Sequence, residues 1–374
     1  MHWQTCFYAI FLIWCISLLP GNKSEDLKRK KRESKKSNGY PNLSSFPTNF
    51  FTETYKKFVN NRPIIGIIPM PMDGDKLLVE NPTAYLKEYF GGSFVKLIEM
   101  GGGKAIPLTE DLMFNKRKLR KLLKSINGVL IPGGDGDLAD SGFSIISQEV
   151  VEYSRKQAKK GIPYPVLGIC RGSQMIMQLG SEEEILRPSD SSNLTLPLTL
   201  TKDARDSQIF GHATEDLLRV VQEKPITFNA HIYSVLYETF EQHPELQKQF
   251  RVTSTNFDRR GIKFISTYED KFAPIFGLQW HPEKSLFVHN PVQAVDHSIF
   301  AIAVAQYISN VFMGFARQNP NQFKTRREEE KHLIYNTLPL YVGNVTETPY
   351  EQIYMFPLFS PKLVNRKVKI PLQR

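Results

Sequence analysis

Between positions 63 and 169, short apolar runs alternate with longer stretches whose apolar residues recur at helical spacing. The runs are Ile64-Ile65-Gly66-Ile67-Ile68, Ala105-Ile106-Pro107-Leu108, Gly128-Val129-Leu130-Ile131 and 165–169. They carry almost no polar residues, which predicts strands buried on both faces. The intervening spacing predicts helices over 83–100, with Tyr85, Tyr89, Phe90, Phe94, Leu97 and Ile98 on one face, then over 111–125 and 146–160. Gly101-Gly102-Gly103 ends the first, and a further helix over 173–180 stops at Gly180. Strand and helix in this rhythm make a parallel sheet covered on both faces. Later the pattern changes. Segments 250–255, 263–267 and 275–278 read as strands joined by turns, an antiparallel extension, and 294–316 as a long helix offering Ile299, Phe300, Ile302, Ala303, Ala305, Ile308 and Val311 for packing. The expected fold class is α/β, a three-layer sandwich with a mostly parallel central sheet, as one domain over 61–356 without internal repeats.

The ends differ from this pattern. Residues 7–19 are apolar and uncharged and run into Pro20-Gly21. That length suits the core of an export signal over 1–21 and is short for a membrane span of roughly 20 residues. An uncleaved anchor is the alternative, and no other stretch reads as long and apolar enough to span. The net charge of +10 sits in two tails: 23–36 hold eight Lys/Arg against three acids, and 352–374 hold five Lys/Arg and no acid. The folded part is near neutral, so the basic excess is not a nucleic-acid face. Behind an export signal, the arm over 22–60 reads as a solvated propeptide or processing site, and 357–374 as a basic tail. Four Asn-x-Ser/Thr triplets, at Asn22, Asn42, Asn193 and Asn344, mark acceptor positions for glycans. In an exported chain Asn42, Asn193 and Asn344 should lie in surface loops. Delivery to the secretory pathway is expected, with secretion and a lysosomal or vacuolar destination indistinguishable.

Cysteine usage then brings in chemistry. Cys6 and Cys15 lie in the leader, so Cys170 is the one thiol of the mature chain. An unpaired cysteine in an exported protein calls for a reason; the alternative to function is an inert core thiol. Its setting is Val166-Leu167-Gly168-Ile169-Cys170-Arg171-Gly172-Ser173, a strand turning into a helix with glycines two residues to either side. Such an elbow lifts the side chain above the sheet edge and aims the helix N-terminus at the sulfur, favouring thiolate. The N–H of Arg171, with Gly133 or Gly134 from the glycine turn after 128–132, is placed to hold an oxyanion. His281, at the end of Gly277-Leu278-Gln279-Trp280-His281-Pro282-Glu283, supplies a base. Glu283, two residues on in an extended segment, would face the same side and hold the imidazole.

These segments resemble the class I glutamine-amidotransferase-like superfamily and, within it, the γ-glutamyl hydrolase family. Ile64-Ile65-Gly66-Ile67, Gly128 to Gly134, Gly168-Ile169-Cys170-Arg171-Gly172 and Gln279-Trp280-His281-Pro282-Glu283-Lys284 carry the superfamily likeness. Tyr89-Phe90-Gly91-Gly92-Ser93-Phe94-Val95-Lys96, Phe228-Asn229-Ala230-His231, Phe264-Ile265-Ser266-Thr267 and Leu333-Ile334-Tyr335-Asn336 are more particular to the narrower family. The resemblance covers about residues 62–356 and implies a flavodoxin-like sandwich. It also implies an ω-peptidase activity on γ-glutamyl amides, foremost folate poly-γ-glutamates, through a thioester on Cys170. By it Cys170 is nucleophile, His281 base and Glu283 its partner, while His231, Tyr89 and Gln174 line the substrate. Gln174 stands where the family often has Glu, and Ile232-Tyr233 where it commonly has Lys-Trp. Arg171 is a candidate partner for substrate α-carboxylates. The chemistry requires neither metal nor organic cofactor, and no His/Cys cluster is available for a metal. The expected partner is a small γ-glutamyl molecule, not nucleic acid, with no lasting membrane insertion after leader removal; a homodimer is compatible with this. The rivals are a glutaminase subunit feeding ammonia to a synthetase and a non-catalytic secreted binding protein on the same scaffold.

Overall fold

Residues Ile64–Ile67 form a four-residue strand, β1, with every side chain buried. The computed structural model describes residues 60–71, 87–139, 141–343 and 349–357. The leader, the arm up to residue 59, Tyr85, Asn22, Asn42, Asn344 and the basic tail lie outside the described residues. After β1 come Met70–Pro71 (β2), Lys87–Gly91 (β3), the helix Gly92–Met100 (α1), Lys104–Pro107 (β4), Lys116–Leu123 (α2), Gly128–Ile131 (β5), Gly142–Ala158 (α3), Val166–Ile169 (β6) and Arg171–Gln178 (α4). The second half adds Leu186–Leu196 (β7), Thr199–Leu200 (β8), Glu215–Glu223 (α5), Thr227–Val235 (β9), Tyr237–Gln242 (α6), Pro244–Gln249 (α7), Phe250–Phe257 (β10), Lys263–Asp270 (β11) and Ile275–Leu278 (β12). Lys284–Phe287 (α8), Ile299–Arg317 (α9), Arg326–His332 (α10), Leu340–Tyr341 (β13) and Gln352–Pro357 (β14) follow.

Eight strands make one sheet in the order β4-β1-β5-β6-β12-β11-β10-β8. The first five are mutually parallel. The last three add on antiparallel. Ile275–Leu278 is therefore not part of an antiparallel extension: it pairs parallel with β6 and antiparallel with β11. It joins the two halves and sets the end of the His281 segment beside the end of the Cys170 segment. Residues two apart along a strand share a face, and the core divides accordingly. Ile65, Ile67, Leu130, Leu167, Ile169, Phe276 and Leu278 pack with α1 and α9. Ile64, Ile68, Val129, Ile131, Val166 and Ile275 pack with α2, α3 and α4. Each such side chain contributes about 1.5–3 kcal/mol relative to exposure, which explains why these runs are continuously apolar.

The helices show where local spacing misleads. The stretch read as a helix over 83–100 is a strand from Lys87 to Gly91 before α1 begins. β3 pairs with β14 and with β2 in a separate antiparallel sheet, ordered β13-β14-β3-β2. Phe90 packs on Tyr354 and Phe356, and Tyr89 meets Tyr350 edge-on at 6.0 Å. Those partners lie far along the chain and overrule a helical spacing that happened to fit. Segment 111–125 is likewise divided: the Asn115 side chain accepts from the Lys118 N–H and starts α2 after a 3-10 turn, Glu110–Phe114. A Ser141–Ser144 capping box starts α3 four residues before the expected 146. Ser298 caps α9, which starts at 299 and buries Ala301, Val304, Ala305, Ile308, Val311 and Phe312. Ile299 and Ile302 are exposed instead of packed. α9 is long and apolar enough to cross a membrane, contrary to expectation, but 61% of it is buried inside the protein. β7 and β9 form a two-stranded ribbon that local pattern did not reveal. Asn193 is exposed, yet on that ribbon instead of in a loop, at φ 52°, and its amide is bound by Val292 O and the Ala294 N–H.

Candidate active site

Cys170 is the residue between β6 and α4, held at φ 50° and ψ −107°. A positive φ costs a non-glycine residue energy that the surroundings must supply. Here its N–H donates to Leu278 O at 2.7 Å and its carbonyl accepts from the Gln174 N–H at 3.0 Å. The flanking glycines are steric necessities. A Cβ on Gly172 would fall 2.0 Å from the Ile131 carbonyl oxygen, and one on Gly168 2.6 Å from that of Gly172. As the first residue of α4, Arg171 has an N–H without an intrahelical acceptor. The elbow does not leave the thiol standing free: Cys170 is buried, keeping 6% of its surface, because the glycine turn and the His281 segment close around it.

Gly133 lies against both Cys170 and His281, since a Cβ there would sit 2.8 Å from His281 Cε1 and 3.0 Å from Cys170 Cβ. Gly134 is one step further away, at φ 148° beside Met70 and Tyr350. His281 is buried. Its N–H donates to Phe228 O, and its ring Nδ1 donates to Glu283 Oε1 at 2.7 Å. Glu283 reaches the imidazole for a different reason from the expected one. It is not in an extended segment; the chain turns at Pro282, and Glu283 has φ −68° and ψ −18° at the start of α8. A turn returns a side chain two residues on toward its origin. Among the described residues His281 Nε2 has no aligned hydrogen-bond partner, although the Cys170 sulfur is close enough to influence its proton. Burial opposes protonation of His281, but the Glu283 carboxylate and then Cys170 prevail and raise it to about 9.

His231 is neither loop nor open lining. It is buried on β9, Nδ1 3.1 Å from the Tyr233 carbonyl oxygen and Nε2 3.2 Å from Asn229 Oδ1, its ring edge-on to Phe264. Burial first, then the nearby His281, lower it to about 3, so it is neutral. Tyr89 is buried on β3. Arg171 Nε donates to Gly136 O at 2.6 Å and Nη1 to Gln174 Oε1 at 3.1 Å, so those two donors face protein and not a substrate carboxylate. Among the described residues no group of three His, Cys, Asp or Glu side chains is arranged to hold a metal.

The class-I glutamine amidotransferase family model matches residues 89–295. The γ-glutamyl hydrolase of Rattus norvegicus is 33% identical over 297 residues, covering 79% of this chain and 90% of its own length. That of Homo sapiens is 34% identical over 295 residues, with the same two coverages of 79% and 90%. The chain belongs to the γ-glutamyl hydrolase family. It is a hydrolase of that family on a class I glutamine amidotransferase fold. The glutaminase domain of Trypanosoma brucei CTPS with bound acivicin superposes at a TM-score of 0.44 and 15% identity, over 71% of this chain and 98% of that one.

The structure adds residues that sequence reasoning did not single out. Gln279 Nε2 donates to Cys170 Sγ at 3.7 Å. Lys284 is buried, donating to Gln293 Oε1 and Pro349 O, with its ammonium over the Phe228 and Tyr350 rings. Burial lowers it to about 8 against the opposing pull of Glu283 and Cys170. Tyr350, two residues before β14, donates to Gly133 O at 3.4 Å, tying the approach to that strand to the glycine turn. Gln279 and Lys284 stood inside the His281 motif, where their types were visible. Tyr350 had no local signal, because β14 finds its place only by pairing with β3.

Proposed function

We propose that this hydrolase cleaves γ-glutamyl amide bonds, with folate poly-γ-glutamates as the substrate class, through a γ-glutamyl thioester on Cys170. His281 Nε2 carries the proposal: a buried ring nitrogen beside the thiol, with no aligned hydrogen bond among the described residues, on an imidazole whose other nitrogen is held by a carboxylate. His281 takes the proton of Cys170, and the sulfur attacks the γ-carbonyl carbon. The oxygen gains charge facing the N–H groups of Arg171 and of Gly133 or Gly134. Collapse breaks the C–N bond as His281 returns the proton to the departing amine. A water then adds to the thioester, giving its proton to His281. The γ-carboxylic acid leaves and the thiol is restored.

The test is incubation with folate polyglutamates and, in parallel, with free glutamine, products being identified by mass. Shortened folates without ammonia from glutamine are expected. Ammonia from glutamine with intact folates would transfer the site to the glutaminase class. Cys170→Ala should remove at least about a thousandfold of the rate while leaving the circular dichroism unchanged; turnover by that variant would refute the thioester.

A further inference from the structure

The buried amides around the sulfur have an order that charge alone dictates. Arginine only donates, and the Arg171 guanidinium is fixed by its bond to Gly136 O. Gln174 must therefore turn Oε1 toward Arg171 Nη1, 3.1 Å away. Its Nε2 then faces two acceptors, Tyr233 O at 2.7 Å and Gln279 Oε1 at 3.2 Å, and uses one hydrogen for each. With Oε1 so engaged, Gln279 turns Nε2 toward Cys170 Sγ. Gln174 and Gln279 are 3% and 2% exposed, so water does not compete for these bonds. The Tyr233 carbonyl oxygen also lies 3.1 Å from His231 Nδ1.

We propose that Arg171, Gln174 and Gln279 form a one-way hydrogen-bond relay whose last donor holds the sulfur of Cys170, making the neutral amide of Gln174 a positioning residue for the nucleophile. The relay rests on the reading of Cys170 as the attacking group and adds what orients and stabilises it. Every link has a single polarity. A carboxylate at position 174 has no hydrogen for Tyr233 O or Gln279 Oε1. Two acceptors would then oppose each other in a buried space, which is costly. The relief open to Gln279 is to turn its amide over, donating to position 174 and presenting Oε1 to the sulfur. Gln174→Glu should therefore impair this chain.

The test is the rate of Cys170 alkylation by iodoacetamide as a function of pH, without substrate, in wild type, Gln174→Glu and Gln174→Met, with kcat and KM measured on a γ-glutamyl substrate. Gln174→Glu should move the midpoint of the alkylation curve up by about one pH unit, lower kcat about tenfold and leave KM within about twofold. Gln174→Met, which adds no acceptor, should shift it less. If Gln174→Glu melts far below wild type, Gln279→Met removes the last donor alone and should give the upward shift. Wild-type alkylation and kcat in Gln174→Glu, or a larger effect of Gln174→Met, would overturn the relay. A shifted alkylation curve in a protein that hydrolyses no γ-glutamyl substrate would leave the relay standing and remove the substrate assignment.

Discussion

The parallel half of the central sheet and the antiparallel pieces around it build the site by different means. The parallel half positions Cys170 by backbone sterics: four-residue buried strands, two glycines that admit no Cβ, and a residue held at positive φ between β6 and α4. The β7–β9 ribbon and the β13-β14-β3-β2 sheet position His231 and Tyr89 by pairing with strands far away in sequence. His281 belongs to both, since β12 pairs parallel with β6 while the His281 N–H reaches Phe228 on β9. The geometry at Cys170 is thus rigid and local, while that of His231 and Tyr89 depends on long-range assembly.

Gly172→Ala should break the rigid side most severely. Its Cβ would overlap the Ile131 carbonyl, a backbone atom that cannot yield, and a loss of about 3 kcal/mol or more by urea unfolding is expected. Glu283→Gln should leave the fold in place and lower kcat/KM about a hundredfold. Burial disfavours the protonated imidazole, and Glu283 is the main group that raises it to about 9. The alkaline limb of the pH–rate profile should therefore move down by one unit or more, and an unmoved limb would separate Glu283 from His281. The elevated proton affinity also bears on stability. Its contribution is full below about 6.5, the unfolded value, and disappears as pH rises through about 9; Glu283→Gln should flatten that loss.

On the assembled side, His231→Leu should lower kcat/KM about tenfold with the alkylation rate of Cys170 unchanged. A change in alkylation would show that the ribbon acts on the thiol itself. The smallest effect is expected at Glu88 on β3. Burial holds its carboxyl up to about 8, with Glu110 and Asp111 adding to this against the Glu110 N–H bonds. The folded state thus keeps a proton that the unfolded chain loses near 4.5, so stability declines as pH rises through 8. Glu88→Gln should melt with wild type at pH 4 and about 2–4 °C higher at pH 8.5; equal melting at both would place no titration there.

Much of the parallel half was legible because its signals are local. A continuous apolar run of four residues can only be buried, and glycines two residues to either side of a cysteine mark a turn too tight for side chains. The spacing over 83–100 failed for the converse reason. Tyr89, Phe90, Phe94, Leu97 and Ile98 fit a helix, but Tyr89 and Phe90 meet aromatic residues of 350–356 across a strand pair. The Glu283 contact was foreseen with the wrong geometry, since sequence separation fixed its reach and Pro282 decided its path.

By itself the sequence determined the α/β class, the strand-to-helix elbow at Cys170 and the identity of its chemical neighbours, because residue type and short spacing limit the backbone to few forms. Tertiary structure decided that His281 Nε2 lies beside the thiol with no aligned hydrogen bond among the described residues, that His231 is neutral and held by its own strand, and that two Arg171 donors face Gly136 and Gln174. Those properties come from burial and from which oxygen faces which nitrogen, and both exist only once distant segments have packed together.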